Sequence, residues 1–329
     1  MSNPTLNVNY LGLQLKSPLI AAASDFTANI DHIIQLEQTG CGAVVLKSLF
    51  EEQILMDIDS QRTNNMFDSY SQSENYIAFY TRKHAIDSYI DLIRKAKSAV
   101  KMPVIASVHC STPGKWVEFS RIIEQAGADA LELNIFILPS NPGQNCSDIE
   151  QIYYAITDEV KKNTKLPVAV KLHYYFTDMA RLMSSMAQKA DALVLFNRFY
   201  NPDINIEHLS IGSSGILSSE SDNYIVQRWI AILSPLVKAH LAASGGIHTW
   251  QAIARNILAG ATVVQLASVL YMKGPQVISD FTNNLGVWMQ EKNFSDLSSF
   301  RGKLNYASVK NPGLYERAQF MKYFSDAGK

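Results

Sequence analysis

Eight apolar runs of strand length alternate with helix-periodic segments along almost the whole chain. The runs are 19–24 (LIAAAS), 43–47 (AVVLK), 103–108 (PVIASV), 130–136 (ALELNIF), 167–172 (PVAVKL), 192–197 (ALVLFN), 240–244 (HLAAS) and 262–267 (TVVQLA). The periodicity between them predicts helices over 30–39, 84–99, 114–126, 147–163, 178–189, 222–237, 248–259 and 274–291. Gly40, Gly127 and Gly260 close helices, and Pro103 and Pro167 open the strands that follow. Runs apolar on both faces suit a parallel sheet covered on both sides. Eight βα units in succession predict an α/β fold, a closed (β/α)8 TIM barrel rather than an open sheet.

The remaining segments decorate that barrel. Residues 6–15 alternate around a Gly-containing turn and predict an N-terminal β-hairpin. Residues 48–83 and 198–221, after the second and sixth barrel strands, are too long for plain linkers. Both fall on the C-terminal face, where barrels build active sites. A length of 329 residues fits one domain, 1–329, in which 302–329 is a C-terminal extension.

Bulk properties exclude several functions. A net charge of −1 offers no footprint for nucleic acid or for an anionic membrane surface. No apolar run is long enough to span a bilayer. The first ten residues, MSNPTLNVNY, do not read as a secretory leader. Cys41, Cys110 and Cys146 are an odd, sparse set without metal-ligand spacing, as expected for reduced thiols in a cytoplasm. No metal site and no iron–sulfur centre are predicted.

Two late strand ends carry the first chemical signal. Ser244-Gly245-Gly246-Ile247-His248-Thr249 ends the seventh strand, and Leu266-Ala267-Ser268 ends the eighth. Glycines let a phosphate approach the backbone, and helix N-termini offer it free N–H groups. The position matches the phosphate site of many barrels. Lys47 and Lys171 end the second and fifth strands, so each ammonium is expected at the barrel mouth. A lysine there can pair with phosphate or carboxylate, hold negative charge on a reduced flavin, form a Schiff base, or simply snorkel. Asn134 and Asn197 end the fourth and sixth strands, and their amides suit an imide or pyrimidine edge as well as a local turn. His109, His173 and His248 read as satisfied polar groups or helix-start residues.

Taken together, these strand ends resemble the dihydroorotate dehydrogenase family, in particular its soluble class 1 branch. The resemblance covers residues 5–304 and rests on SPLIAAAS, GAVVLKS, ALELNIF, LPVAVKL, LVLFN, ASGGIHTWQAI, AGATVVQLASVLYMKGP and FRGKL. It implies an FMN-containing barrel that oxidises dihydroorotate to orotate in pyrimidine biosynthesis, and a homodimer. By resemblance, Ala22, Ala23 and Ser24 line the flavin, Lys47 and Ser48 sit near its ring and the substrate, and Lys171 contacts the ring. Asn134 and Asn197 lie over it, Gly215 approaches it, and Gly245, Gly246, Ala267 and Ser268 cradle its phosphate. Electrons would leave through a small acceptor or an electron-accepting partner protein.

Two segments depart from the family: after the second strand no glycine occurs between Gly42 and Gly114, where the family has a Gly-containing segment, and the loop after the fourth strand is altered. The class 1 base is a Cys three residues after the Asn that ends the fourth strand. Here the segment reads Asn134-Ile135-Phe136-Ile137-Leu138-Pro139-Ser140, and Ile137 or Leu138 falls at the base. Ser140 stands where the family has a substrate-binding Asn, and it and Cys146 are the candidate replacement bases. The chain therefore reads as an FMN oxidoreductase acting on dihydroorotate or another small substrate. The competing readings are a Schiff-base lyase or aldolase using Lys171 and a flavin-binding protein without turnover.

Overall fold

The computed structural model describes residues 4–64, 71–110, 113–198, 201–213 and 215–317, and over 58–64, 71–80 and at 113 the backbone alone. A hairpin of β1 (Val8–Tyr10) and β2 (Leu13–Leu15) opens the chain, turning through Leu11 and Gly12, both at positive φ. The barrel begins with β3 (Leu19–Ala21) and β4 (Ala43–Val45), followed by a two-residue β5 (Leu49–Phe50). It continues through β6 (Val104–His109), β7 (Ala130–Asn134), β8 (Val168–Leu172) and β9 (Ala192–Leu195). A second hairpin, β10 (Pro202–Asn205) and β11 (Ser210–Ser213), precedes the last barrel strands, β12 (His240–Ser244) and β13 (Val263–Leu266). Neighbouring barrel strands are parallel, and the β4–β6 pairing, Val44 opposite Val104, closes the ring.

Eleven α-helices are described: α1 (Ile30–Gln38), α2 (Glu51–Asn64), α3 (Ser71–Ala99), α4 (Pro113–Ala126), α5 (Cys146–Asn163), α6 (Met179–Met186), α7 (Asn223–Leu233), α8 (Trp250–Ala259), α9 (Ser268–Lys273), α10 (Val277–Glu291) and α11 (Gly313–Glu316). Their apolar stripes bury residues such as Leu36, Ile93, Trp116, Tyr153 and Leu285 against the outside of the barrel. The barrel strands themselves are buried on both faces, as their composition requires.

Each expected barrel strand is present. The connection after β4 is long, but it is helical where a polar loop was expected, because α2 and a lengthened α3 occupy it. The chain holds neither Pro nor Gly between Gly42 and Pro103, so nothing interrupts helix propagation there. The connection after β9 carries the β10–β11 hairpin, whose eight strand residues are all exposed. Residues 302–306 lie on the barrel's outer helices, with the Gly302, Leu304 and Tyr306 N–H groups donating to the carbonyls of Ile257, Leu258 and Ala231. The far part of the expected extension, 318–329, lies outside the described residues. No described helix is long and apolar enough to cross a membrane.

The N-terminal hairpin covers the end of the barrel opposite the strand C-termini. Leu11 N–H donates to Nδ1 of His240, the first residue of β12, at 3.1 Å, and the Tyr10 ring lies 5.8 Å from that imidazole. Tyr10 is fully buried and its hydroxyl has no hydrogen-bond partner among the described residues. Burial, and then the nearby charge of Glu132, hold its pKa well above the usual phenol value. Tyr10→Phe keeps the ring and deletes only that hydroxyl. Urea unfolding of this variant is expected to show equal or greater stability, a gain of about 1 kcal/mol, since an unpartnered buried hydroxyl is a net cost. A loss of that size would mean that the hydroxyl is bonded.

Candidate active site

The most constrained group at the mouth of the barrel is Lys171, near the end of β8 and only 6% exposed. Its ammonium donates to Gln265 Oε1 at 3.2 Å and lies 3.7 Å from Glu132 Oε1. Gln265 Nε2 donates to Glu132 Oε2 at 2.6 Å, which closes a three-residue cluster drawn from β7, β8 and β13. Glu132 Oε1 is buried and has no hydrogen-bond partner among the described residues. Such a cluster is costly, since removing two charges from water takes back much of their attraction. The cluster fixes one cation at the floor of the cleft.

That floor supports a cleft with two lobes of about 590 and 610 Å³. The lobes share Ala23, Ser24, Asp25, Lys171, Asn197 and Arg198, so they form one continuous space. The first lobe runs along Ala22, Ser244, Gly245, Gly246, Ala267 and Ser268. Among the described residues, no hydrogen bond takes up the backbone N–H of Gly245, Gly246, Ala267 or Ser268. Unpaired N–H groups at two adjacent strand ends form a site for an anion. Gly245 and Gly246 adopt φ of 110° and 67°. A Cβ on Gly246 would come within 2.3 Å of the Asn223 nitrogen, so the close approach that demands this glycine is made by the chain's own 219–223 segment. Asn223 Nδ2 donates to the Gly245 carbonyl, Ser218 N–H donates to Ser268 Oγ, and Ser218 Oγ lies 3.0 Å from His248 Nε2.

The second lobe holds the other strand ends. Asn197 Nδ2 donates to Asn134 Oδ1 at 2.9 Å, joining the two amides. Asn134 stands opposite Lys171 in the β7–β8 register. Lys47 is half-exposed at the rim and pairs with Asp25 at 2.5 Å. Ser48 Oγ is 2.7 Å from Ser107 Oγ, and the Tyr89 hydroxyl bonds both backbone groups of Ser107. His109 ends β6 and also lines this lobe.

The structure thus brings Ala22, Ala23, Ser24, Lys47, Ser48, Asn134, Lys171, Asn197, Gly245, Gly246, Ala267 and Ser268 to one cleft. Gly215 stays at the surface, its carbonyl accepting from Arg198, while Ile216, Leu217 and Ser218 behind it reach the cleft. Ser140 and Cys146 are exposed, and neither lines a lobe. Cys146 opens α5 behind the Asn145 cap. The described residues contain no group of His, Cys, Asp and Glu that could hold a metal ion.

Comparison with known proteins gives the lineage. The family described as dihydroorotate dehydrogenase matches residues 5–289. The chain belongs to the dihydroorotate dehydrogenase family. It is 25% identical to the dihydroorotate dehydrogenase B (NAD(+)) catalytic subunit of Thermoplasma acidophilum, over 90% of this chain and 98% of that one. It is 24% identical to the catalytic subunit of the same name from Pyrococcus abyssi, with 90% and 98% covered. The Methanosarcina acetivorans catalytic subunit is 25% identical, with 89% and 94% covered.

Within this family barrel, sequence reasoning missed Glu132, Gln265 and Arg198. The signal for the first two was a polar residue inside an apolar strand, as in Leu131-Glu132-Leu133 and Val264-Gln265-Leu266. Such a residue is buried and must find partners.

His173, by contrast, is structural, as expected. It is fully buried and stacks on Phe176 at 4.2 Å. Its Nδ1 accepts from the Tyr175 N–H, and its Nε2 lies 2.8 Å from the Tyr153 hydroxyl, which also accepts from the Ile137 N–H. Burial lowers its pKa from 6.5 to about 4. The native state therefore binds fewer protons than the unfolded chain between those values. The stabilisation is complete above the unfolded pKa and is lost as pH falls toward the folded one, on the order of 3 kcal/mol in total. Chemical unfolding from pH 7 to pH 4 is expected to show this loss, and His173→Gln to show a shallower pH slope. Identical slopes would contradict a neutral buried imidazole.

Proposed function

We propose that this chain is an FMN-dependent oxidoreductase of the dihydroorotate dehydrogenase type, oxidising dihydroorotate or another small cyclic or carbonyl substrate. The observation that carries the reading is the unbroken cleft from the unpaired N–H groups at Gly245, Gly246, Ala267 and Ser268 to the Lys171 ammonium. An anion site at one end and a fixed cation with donor–acceptor amides at the other suit a phosphate tail and a polar heterocyclic ring. When bound, FMN supplies a two-electron acceptor. Ala22, Ala23 and Ser24 would flank it, and Lys171 would offset negative charge gathering on its ring. Asn134, Asn197, Lys47 and Ser48 would orient the substrate.

The geometry gives less support to the Schiff-base reading. A nucleophilic lysine must lose its proton, and the Lys171 ammonium is held between Glu132 and Gln265. A flavin protein without turnover remains the alternative that Ile137 and Leu138 motivate, because neither side chain accepts a proton.

We place the protein in the cytoplasm as a homodimer that passes electrons to a small acceptor or a partner protein. The names of the B-type relatives describe catalytic subunits, which favours a partner. The apolar side chains of Ile204, Ile206, Leu209 and Ile211 on the β10–β11 hairpin, each at least 72% exposed, favour self-association.

Two outcomes are expected. The purified protein carries, or takes up, FMN and shows its visible absorbance, and anaerobic dihydroorotate bleaches it. A colourless protein that refuses FMN removes the reading, whereas a yellow protein that dihydroorotate does not bleach removes that substrate alone. Sedimentation should also find a dimer, with Ile204→Asp/Ile211→Asp shifting it to monomer; a wild-type monomer would contradict the assignment.

A further inference from the structure

We propose that His109 is the general base of this reaction, taking a substrate proton on Nε2 in place of the thiol absent from the 134–140 loop; the assignment rests on the reading of the preceding subsection. His109 is the last residue of β6 and lines the lobe that also holds Lys47, Ser48, Asn134 and Lys171. Its Nδ1 lies 2.6 Å from the Asn134 carbonyl oxygen. A carbonyl only accepts, so Nδ1 carries the proton and the lone pair of the neutral ring sits on Nε2. Nε2 has no hydrogen-bond partner among the described residues. The rings of Phe50, at 5.4 Å, and Trp116, at 6.2 Å, pack around the imidazole. A base held in one tautomer by a fixed acceptor on its far nitrogen is the arrangement that proton abstraction requires. Here the acceptor belongs to Asn134, whose side chain joins Asn197 in the same lobe.

The other groups near this lobe are committed or ill-suited. Asp25 pairs with Lys47, and Glu132 with Lys171 and Gln265. Burial, then Glu51 and Glu118, push the Cys110 thiol far up, so it stays protonated. Glu52 lines the lobe, but it stands exposed to solvent at the start of α2. The charged groups that line the lobe with His109 are Glu52, Lys171, Arg198 and the Lys47–Asp25 pair, and those acting on the adjoining Cys110 are Glu51 from α2, Arg82 from α3, and Lys115 and Glu118 from α4.

The step balances as a two-electron oxidation. One ring C–H bond of the substrate breaks, its proton passes to His109 Nε2, and its electron pair becomes the new C=C bond. The neighbouring carbon gives up a hydride, which FMN bound in the cleft would accept as the two-electron oxidant. The substrate thus loses two electrons and two protons, and the imidazolium later returns its proton to water.

The test is rapid anaerobic mixing of the FMN-loaded protein with dihydroorotate, from about pH 5 to pH 9, across the range where an imidazole titrates. Wild-type bleaching should accelerate as pH rises across that range and then level off. His109→Gln should keep its bound FMN, bleach about 10²–10⁴-fold more slowly, and lose the acidic limb of the profile. Nitrogen-15 NMR of histidine-labelled wild-type protein gives a readout independent of turnover and of the variant's folding, with His109 expected as the Nδ1–H tautomer. Equal rates and profiles for the two proteins overturn the base assignment and leave the FMN reading intact. An Nε2–H tautomer overturns it whatever the substrate. A wild-type flavin that dihydroorotate does not bleach overturns the substrate reading, and this assignment with it.

Discussion

Burying the Lys171 ammonium inside a parallel barrel is the constraint on which the site depends. A charge there is tolerable only with partners, and Glu132 and Gln265 supply them from two other strands at 3.7 and 3.2 Å. Replacing the cluster with apolar side chains would often be neutral or stabilising, whereas deleting one partner strands a charge. Its retention is therefore best understood through the cleft above it. The strand register does the rest, because Asn134 beside Lys171 and Ser244 beside Gln265 follow from where β7, β8, β12 and β13 pair.

The anion end of the cleft depends on a second constraint, backbone packing. Ser219 to Asn223 press against Gly246 so closely that no side chain fits between them. Asn223 and Ser218 then tie that segment to Gly245, Ser268 and His248. The connection after β9 thus shapes the N–H groups of the last two strand ends and also places Ile216 and Leu217 along the cleft. The glycine pair and the long connection are two halves of one device.

Much of this was legible in the sequence. Uninterrupted apolar runs such as 43–45 and 192–195 read as buried strands, and eight strands in order close a barrel. Lys47, Lys171, Asn134 and Asn197 stood out because polar residues ended those runs. What escaped notice depends on contacts between distant residues. The helicity of 51–64 rests on the absence of breakers rather than on a strong apolar stripe. Glu132 and Gln265 are 133 positions apart, and only barrel closure makes them neighbours. His109 looked like any polar residue at a strand end until the Asn134 carbonyl fixed its tautomer. Ser140 and Cys146 looked plausible by proximity in sequence, but the loop and the start of α5 leave both exposed.

The central claim is spatial, so the most direct measurement is a crystal structure of the protein grown with FMN. The account predicts the phosphate on the N–H groups of Gly245, Gly246, Ala267 and Ser268, and the ring edge within hydrogen-bond reach of Lys171 Nζ. FMN bound elsewhere, or a cleft that stays empty at saturating FMN, would contradict it.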